Sequence, residues 1–214
     1  MSGIATMTHD LEVSCRCGKL RGVARGVSPA LVNRAKCYCD DCQLFAFFLG
    51  ETQDVLDEFG GSEICQMSPT HLELTEGSEN LACVRLRPKG LYRWYAACCN
   101  TPLANTLTSA IPFVGMIRPG INGVSDESVG QVRMRIHGRH AKGGAGAAKA
   151  HPKAPLSAAF GILLKLLRRR FAGEHKRHPL FDPESGKAIV KPRVLEADEL
   201  AEVQQARERW LQAD

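Results

Sequence analysis

Of the nine cysteines in this chain, seven fall in three tight groups: Cys15 with Cys17, Cys37 with Cys39 and Cys42, and Cys98 with Cys99. Adjacent and one-apart cysteines are poor disulfide partners for each other, because the bridge demands a particular Cα and Cβ geometry. On an extended strand residues i and i+2 point to one side. Cys15 and Cys17, and likewise Cys37 and Cys39, can therefore each turn two sulfurs to one ion. Cys42 completes a three-sulfur claw if the chain turns at Asp40-Asp41. Thiolates are soft ligands that favour zinc over magnesium or calcium. Zinc takes four ligands in a tetrahedron, at about 2.3 Å from sulfur.

The number of ligands then separates two kinds of site. A structural zinc closes all four positions with protein, whereas a catalytic zinc keeps one open. Cys37, Cys39 and Cys42 make a local set of three with no obvious fourth nearby, and Cys15, Cys17, Cys98 and Cys99 can supply a closed set of four. Two readings of Cys98-Cys99 stand: both ligate, or one ligates while the other joins the core. Three thiolates on a divalent ion leave one net negative charge, which weakens the ion as a Lewis acid. Such a site suits an incoming thiolate or a small carbonyl better than it suits making hydroxide. The alternative for Cys37, Cys39 and Cys42 is a set of buried or redox-active thiols.

Other candidates are weaker. Cys65 and Cys83 stand alone in strand-like segments and are expected to be buried free thiols. His137 and His140 are expected to be exposed at a strand end, and nothing marks His71 as a ligand. Arg34 and Lys36 share the strand face opposite Cys37, so neither is assigned to catalysis. Tyr38 can approach the three-sulfur set from the turn, and the rigid apolar run Pro179-Leu180-Phe181-Asp182-Pro183 can reach it as a loop.

The elements that must hold these residues read as β-rich over residues 10–140. Leu11, Val13 and Cys15 alternate with polar neighbours, as do Leu72 and Leu74 within His71-Leu72-Glu73-Leu74-Thr75. Further strand-like runs cover 81–86, 92–97, 113–117 and 132–136, separated by turn signals such as Gly60-Gly61, Glu76-Gly77-Ser78 and Pro88-Lys89-Gly90. Short strands so punctuated predict a mainly β fold of antiparallel strands rather than βαβ units. The crowded apolar run around Leu44, Phe45, Phe47, Phe48 and Leu49 predicts one short helix after the central cysteines. Residues 141–155, almost all Ala, Gly, Lys and Pro, read as a flexible linker. Residues 156–214 then form an α-helical C-terminal extension. Phe160, Leu163, Leu164, Leu167 and Phe171 share one helical face, with Lys165 and Arg168 to Arg170 largely opposite. This helix is expected to pack its apolar face on the core with its basic residues in water, rather than to lie on a membrane or on nucleic acid. A last helix over about 198–211 carries Leu200, Val203 and Trp210 as its apolar stripe.

At 214 residues, 44% hydrophobic and 24% charged, the chain has the composition of a globular protein with a proper core. No run is apolar for the length a bilayer needs. The N-terminal residues lack the basic and apolar regions of a secretory signal. Both point to the reducing cytoplasm, where grouped cysteines bind metal or do chemistry more often than they form disulfides. The net charge of +5 is uneven. Residues 1–140 hold 14 basic and 14 acidic side chains, whereas 141–214 hold 14 basic and 9 acidic, so the whole excess is C-terminal.

The three cysteine groups together resemble the family of glutathione-dependent formaldehyde-activating enzymes and centromere protein V. The motifs that carry this are Cys15-Arg16-Cys17-Gly18, Cys37-Tyr38-Cys39-Asp40-Asp41-Cys42 and Arg93-Trp94-Tyr95-Ala96-Ala97-Cys98-Cys99-Asn100-Thr101-Pro102-Leu103, within residues 10–137. The resemblance implies a β-rich zinc-binding fold with two metal positions. Cys15 and Cys17 would belong to a structural zinc completed by the late cysteines, and Cys37, Cys39 and Cys42 to an active-site zinc. It also implies a carbon–sulfur lyase activity that condenses formaldehyde with glutathione, so a small glutathione-like thiol is the expected partner. One departure stands out. Setting Asn100-Thr101-Pro102-Leu103 on the family's Gly-Thr-Pro-Leu puts Cys99 at the second late cysteine and Ala96 at the first. Either a local bulge lets Cys98 ligate, or the structural site has three sulfurs, or it is empty. Asn100 can adopt the left-handed conformation the family's glycine would take. Two other functions compete: a non-enzymatic zinc module for partner binding, and a redox-sensing thiol protein that would carry no stoichiometric metal.

Overall fold

Leu11 and Val13 are buried at alternate positions of the first strand, β1 (His9–Ser14), with Asp10 and Glu12 in water between them. That one-sided burial recurs through the chain and stacks it in layers. The structure, a computed structural model, describes residues 7–213; residues 1–6 and 214, parts of the leader reading and of the C-terminal extension, lie outside the described residues.

Strand β1 pairs antiparallel with β2 (Arg21–Val27), and β2 with β5 (Leu72–Glu76), to make a small three-stranded sheet. The remaining strands form one eight-stranded sheet. Its middle is antiparallel: β3 (Asn33–Cys37), β4 (Ser62–Met67), β9 (Val114–Ile117), β8 (Thr101–Thr106), β7 (Tyr92–Ala96) and β6 (Leu81–Arg85), in that spatial order. Two short parallel edges close it, β10 (Met134–Ile136) beside β3 and β11 (Arg193–Val194) beside β6. The antiparallel expectation holds for the body of the sheet.

Cross-strand pairs show what each face buries. Cys65, Met116, Ala104, Trp94 and Cys83 lie in one row and share a core with Leu11, Val13 and Ala24 of the small sheet. Cys65 and Cys83 are thus the buried free thiols expected of them. The opposite face meets helix α1 (Asp40–Leu49) through Leu44, Phe45, Val84 and Ile117. Helix α6 (Ala197–Gln212) packs on α1, with Leu200 and Val203 on that core and Trp210 edge-on to Phe47 at 6.0 Å. The fold is therefore mainly β with an α-helical C-terminal extension, in three layers: small sheet, large sheet, helices. Short helices α2 (Thr52–Val55), α3 (Asp126–Val129) and α4 (Gly144–Ala147) fill connections.

Three expectations are corrected here. The stretch 141–155 is not a free linker throughout, because Ala141 and Ala148 are buried against Tyr38, and the His151 N–H donates to the Arg135 carbonyl. Small side chains suit that close packing as well as they suit flexibility. Helix α5 (Leu156–Phe171) is turned the other way round from its expected orientation. Ile162, Leu166 and Arg169 face Leu31, Asn33 and Gln66, while Leu156, Phe160, Leu163, Leu164, Leu167 and Phe171 are exposed. The surface it meets is polar there: Arg169 donates to the Leu31 carbonyl at 3.1 Å and lies 3.8 Å from Glu174, which rewards a guanidinium over a leucine. Finally, the 179–183 loop packs Leu180 and Phe181 into the core between the sheets, with Phe181 edge-on to Tyr92 and Trp94, on the face away from α1. It does not reach the three-sulfur set. No helix among the described residues is long and apolar enough to cross a membrane.

Candidate metal centres

The first centre is built from two turns that strand pairing brings together. After β1 the chain doubles back so that the Gly18 N–H donates to the Cys15 carbonyl and the Leu20 N–H to the Cys15 sulfur at 3.3 Å. Gly18 takes φ 75°, which a side chain would resist. The second turn joins β7 to β8. Here Asn100 adopts φ 55°, the left-handed conformation expected of it, and its Nδ2 donates to the Leu49 carbonyl at the end of α1. These turns place the sulfurs of Cys15, Cys17, Cys98 and Cys99 within 4.8 Å of one another. Cys15 lies 3.5 Å from Cys17 and 3.7 Å from Cys98, Cys17 lies 3.3 Å from Cys98, and Cys98 lies 3.9 Å from Cys99. A tetrahedron with sulfurs about 2.3 Å from its centre has edges of about 3.8 Å. The four thiols thus fit one ion, and Cys98 stands inside the set. Ala96, at the position where the resembled family has its ligand, is buried in the core between the sheets.

The four sulfurs are not equivalent. Withdrawal from water, together with hydrogen bonds to Cys17 and Cys15, pushes the Cys98 thiol up to about 12. Burial acts the same way on Cys99, but hydrogen bonds from the Thr101 hydroxyl and from the Cys17 and Thr101 N–H groups outweigh it and bring the thiol down to about 6. The Thr101 hydroxyl also accepts the Arg16 N–H at 3.0 Å, tying the two turns together. Outside this centre a cleft of about 590 Å³ is lined by Arg16, Glu51, Asp54, Arg118 and Asn122.

The second centre sits where β3 ends and α1 begins. Cys37 closes β3, Cys39 is the extended residue that caps α1, and Cys42 lies in its first turn, its N–H donating to the Cys39 carbonyl at 3.1 Å. Asp40 and Asp41 favour a helix start, because carboxylates complement the positive end of the helix dipole. The three sulfurs lie within 4.8 Å of one another, walled by Ile64 and Ile136; Cys37 and Cys42 are buried and Cys39 is half-buried. Its hydrogen bond with Cys39, then burial, pushes the Cys37 thiol up to about 12. For Cys39 the bond with Cys37 pulls down, but the bond with Cys42 and burial prevail, again to about 12. The bond with Cys37 and burial hold Cys42 at about 12 against the nearby Arg93 guanidinium. Such thiols stay protonated until a cation displaces the protons.

The surroundings include a residue that sequence reasoning did not single out. Arg93 is 1% exposed, on the sheet face under α1. Its Nη1 donates to Asn105 at 3.2 Å, its Nη2 lies 4.0 Å from the Asp41 carboxylate and has no hydrogen-bond partner, and its guanidinium stacks over Phe45 at 5.3 Å. The signal available was an arginine on a strand that otherwise reads as core.

Other expected site residues go elsewhere. Tyr38 is fully buried and turns away, its hydroxyl donating to Asp57 and accepting from Arg135. Lys36 pairs with Asp57 at 2.9 Å and Arg34 with Glu63 at 2.8 Å, opposite Cys37 as alternation required. His71 Nδ1–H donates to the Arg25 carbonyl at 2.7 Å, and the ring joins neither centre. His137 and His140 are half-buried rather than exposed, because the 138–140 turn folds back onto α1 and sets His140 Nδ1 2.7 Å from Asp40. The same carboxylate takes Arg207 of α6 at 2.9 Å.

Fold and sites together define a mainly β protein with two cysteine clusters, each able to hold a metal ion. The chain belongs to a family of unknown function, DUF6151, whose match spans residues 7–191 and stops short of α6. No curated protein matches it. Among solved structures, a Rhodobacter sphaeroides protein determined as a structural-genomics target is similar at 17% identity and a TM-score of 0.38, over 56% of this chain and 96% of that chain. A likeness that distant carries neither fold nor function across.

Proposed function

We propose that this is a zinc-dependent enzyme of the carbon–sulfur lyase type, acting in a reducing cytoplasm on the adduct of a glutathione-like thiol with formaldehyde or a similar small aldehyde. The observation that carries the reading is the unequal ligand count: four thiols in one centre and three in the other. Cys15, Cys17, Cys98 and Cys99 hold a structural zinc that ties the β1 turn to the β7–β8 turn. Cys37, Cys39 and Cys42 hold a second zinc with one position free. Bound there, zinc supplies a soft Lewis-acid centre for a sulfur or a small carbonyl oxygen. The protein's own part is to position and to shield. Ile64 and Ile136 exclude water from the buried side, half-buried Cys39 marks the side open to a ligand, and Arg93 offsets the surplus negative charge from below. In the condensation a C–S bond forms, the C=O double bond becomes single, and the thiol proton passes to that oxygen.

One observation favours the other reading, a zinc module for partner binding: the 590 Å³ cleft opens at the four-thiol centre, not at the three-thiol one. Nuclear magnetic resonance of formaldehyde with glutathione decides between them. The enzyme reading expects zinc-loaded protein to speed formation of the S-hydroxymethyl adduct, and Cys39→Ser to abolish this with the fold intact. No acceleration would leave the binding module standing, and unfolding of the variant would make the central site structural.

A further inference from the structure

The exposed face of α5 is a feature that the metal centres do not explain. Leu156, Phe160, Leu163, Leu164, Leu167 and Phe171 are all exposed, Leu156 and Phe171 at 89% and 87%. At 3.6 residues per turn they share one stripe about 100° wide. Arg170 borders the stripe beside Leu163, and Arg168 borders it beside Leu164. The helix contains no Asp or Glu, and Lys153 before it and Lys176 and Arg177 after it are exposed. Glu174, the nearest acid in sequence, is turned inward to Ser68 at 2.5 Å. The opposite side of α5 is already committed: Ile162, Leu166 and Arg169 hold it to the body, with Arg169 bonded to the Leu31 carbonyl.

We propose that α5 seats the protein on an anionic lipid surface, lying in the headgroup plane with this stripe buried among the acyl chains. An apolar stripe edged by arginines on both sides is complementary to such a surface. Phosphate and carboxylate headgroups meet the arginines while the chains below take up the leucines and phenylalanines. A second copy fits worse, because two α5 helices face to face would oppose like charges with no acid on the helix to relieve them. Nucleic acid would neutralise the arginines but leave the leucines in water. The helix is too short to span a bilayer, so the mode is adsorption and not insertion across it.

The test is flotation of the full chain with phosphatidylcholine vesicles, with and without phosphatidylserine. Binding is expected with phosphatidylserine and to be about ten-fold weaker without it. Leu163→Ser with Leu167→Ser should release the protein from both. Arg168→Gln with Arg170→Gln should remove only the preference for phosphatidylserine. Far-UV circular dichroism and metal content, unchanged in both double variants, show that the fold is kept. In Phe160→Trp the tryptophan emission should shift to the blue on vesicles and become protected from an aqueous quencher. No binding to the anionic vesicles overturns the proposal, as does binding that survives the serine variants. A dimer in solution that the serine variants dissociate also overturns it, and gives the face to a second copy.

Discussion

Arg93 is where the chemistry of the three-thiol centre is most exposed to test by a single residue. Three thiolates and a divalent ion carry one surplus negative charge, and burying that without compensation is expensive. Arg93 stands beneath Cys42 with its Nη2 unpartnered, and its charge favours the Cys42 thiolate. Under the proposed function, Arg93→Met should weaken zinc at the three-thiol centre about ten-fold in competition with a chelator, and Arg93→Lys should recover part of the loss. Affinity equal to wild type in Arg93→Met would show that the charge is balanced elsewhere. Spacing alone was enough to pick out Cys15 with Cys17 and Cys37 with Cys39 and Cys42, because two or three residues of separation leave few ways to present sulfurs together. It could not decide whether Cys98 joins them. That depends on the four-residue turn between Ala96 and Thr101, where Asn100 takes a left-handed conformation and swings Cys98 toward Cys15 and Cys17. Arg93 was harder to read for another reason: its charge interrupts a strand that otherwise reads as core, but nothing in the pattern of Tyr92–Ala96 tells which face buries it.

Among the elements, the loop after α5 offers a pH-dependent test. His178 is buried against Phe181 at 4.8 Å, its Nδ1 accepts the Leu180 N–H, and its Nε2 faces the Phe113 carbonyl. Desolvation brings its pKa down from 6.5 to about 4, with the Phe113 carbonyl opposing. Between those values the unfolded chain binds a proton that the folded one refuses. Stability is therefore full above about pH 6.5 and falls as pH drops toward 4, by at most about 3 kcal/mol. Urea titrations at neutral pH and near pH 4.5 should show this loss, and His178→Gln should flatten it; an equal slope in both proteins would rule His178 out as its source. Strands with one wet face, such as β1 and β5, were legible from alternation. Strand β8 was not, since Thr101–Thr106 is buried on both faces and carries Pro102 beside a β-bulge. The facial pattern of α5 was legible, but its orientation was not. Periodicity gives a stripe without saying which side the rest of the molecule can satisfy, and here the body offers carbonyls and Glu174 to Arg169.

At the scale of the whole molecule, the two centres share one sheet and one helix. Asn100 bonds the carbonyl end of α1 to the four-thiol turn, the other end of α1 carries Cys39 and Cys42, and α6 clamps that end through Arg207 and Asp40. Nothing in local sequence could foretell that the C-terminal extension docks on the site helix, because the contact joins residues some 167 positions apart. The proposed function stands on one inequality, a closed centre beside an open one. An anomalous-scattering map at the zinc absorption edge, from crystals of protein purified under reducing conditions, measures it directly. The expected map has two peaks: one among the sulfurs of Cys15, Cys17, Cys98 and Cys99, the other on Cys37, Cys39 and Cys42 with its fourth ligand not from the protein. A single peak, or a second site closed by a protein side chain such as His140, would contradict it.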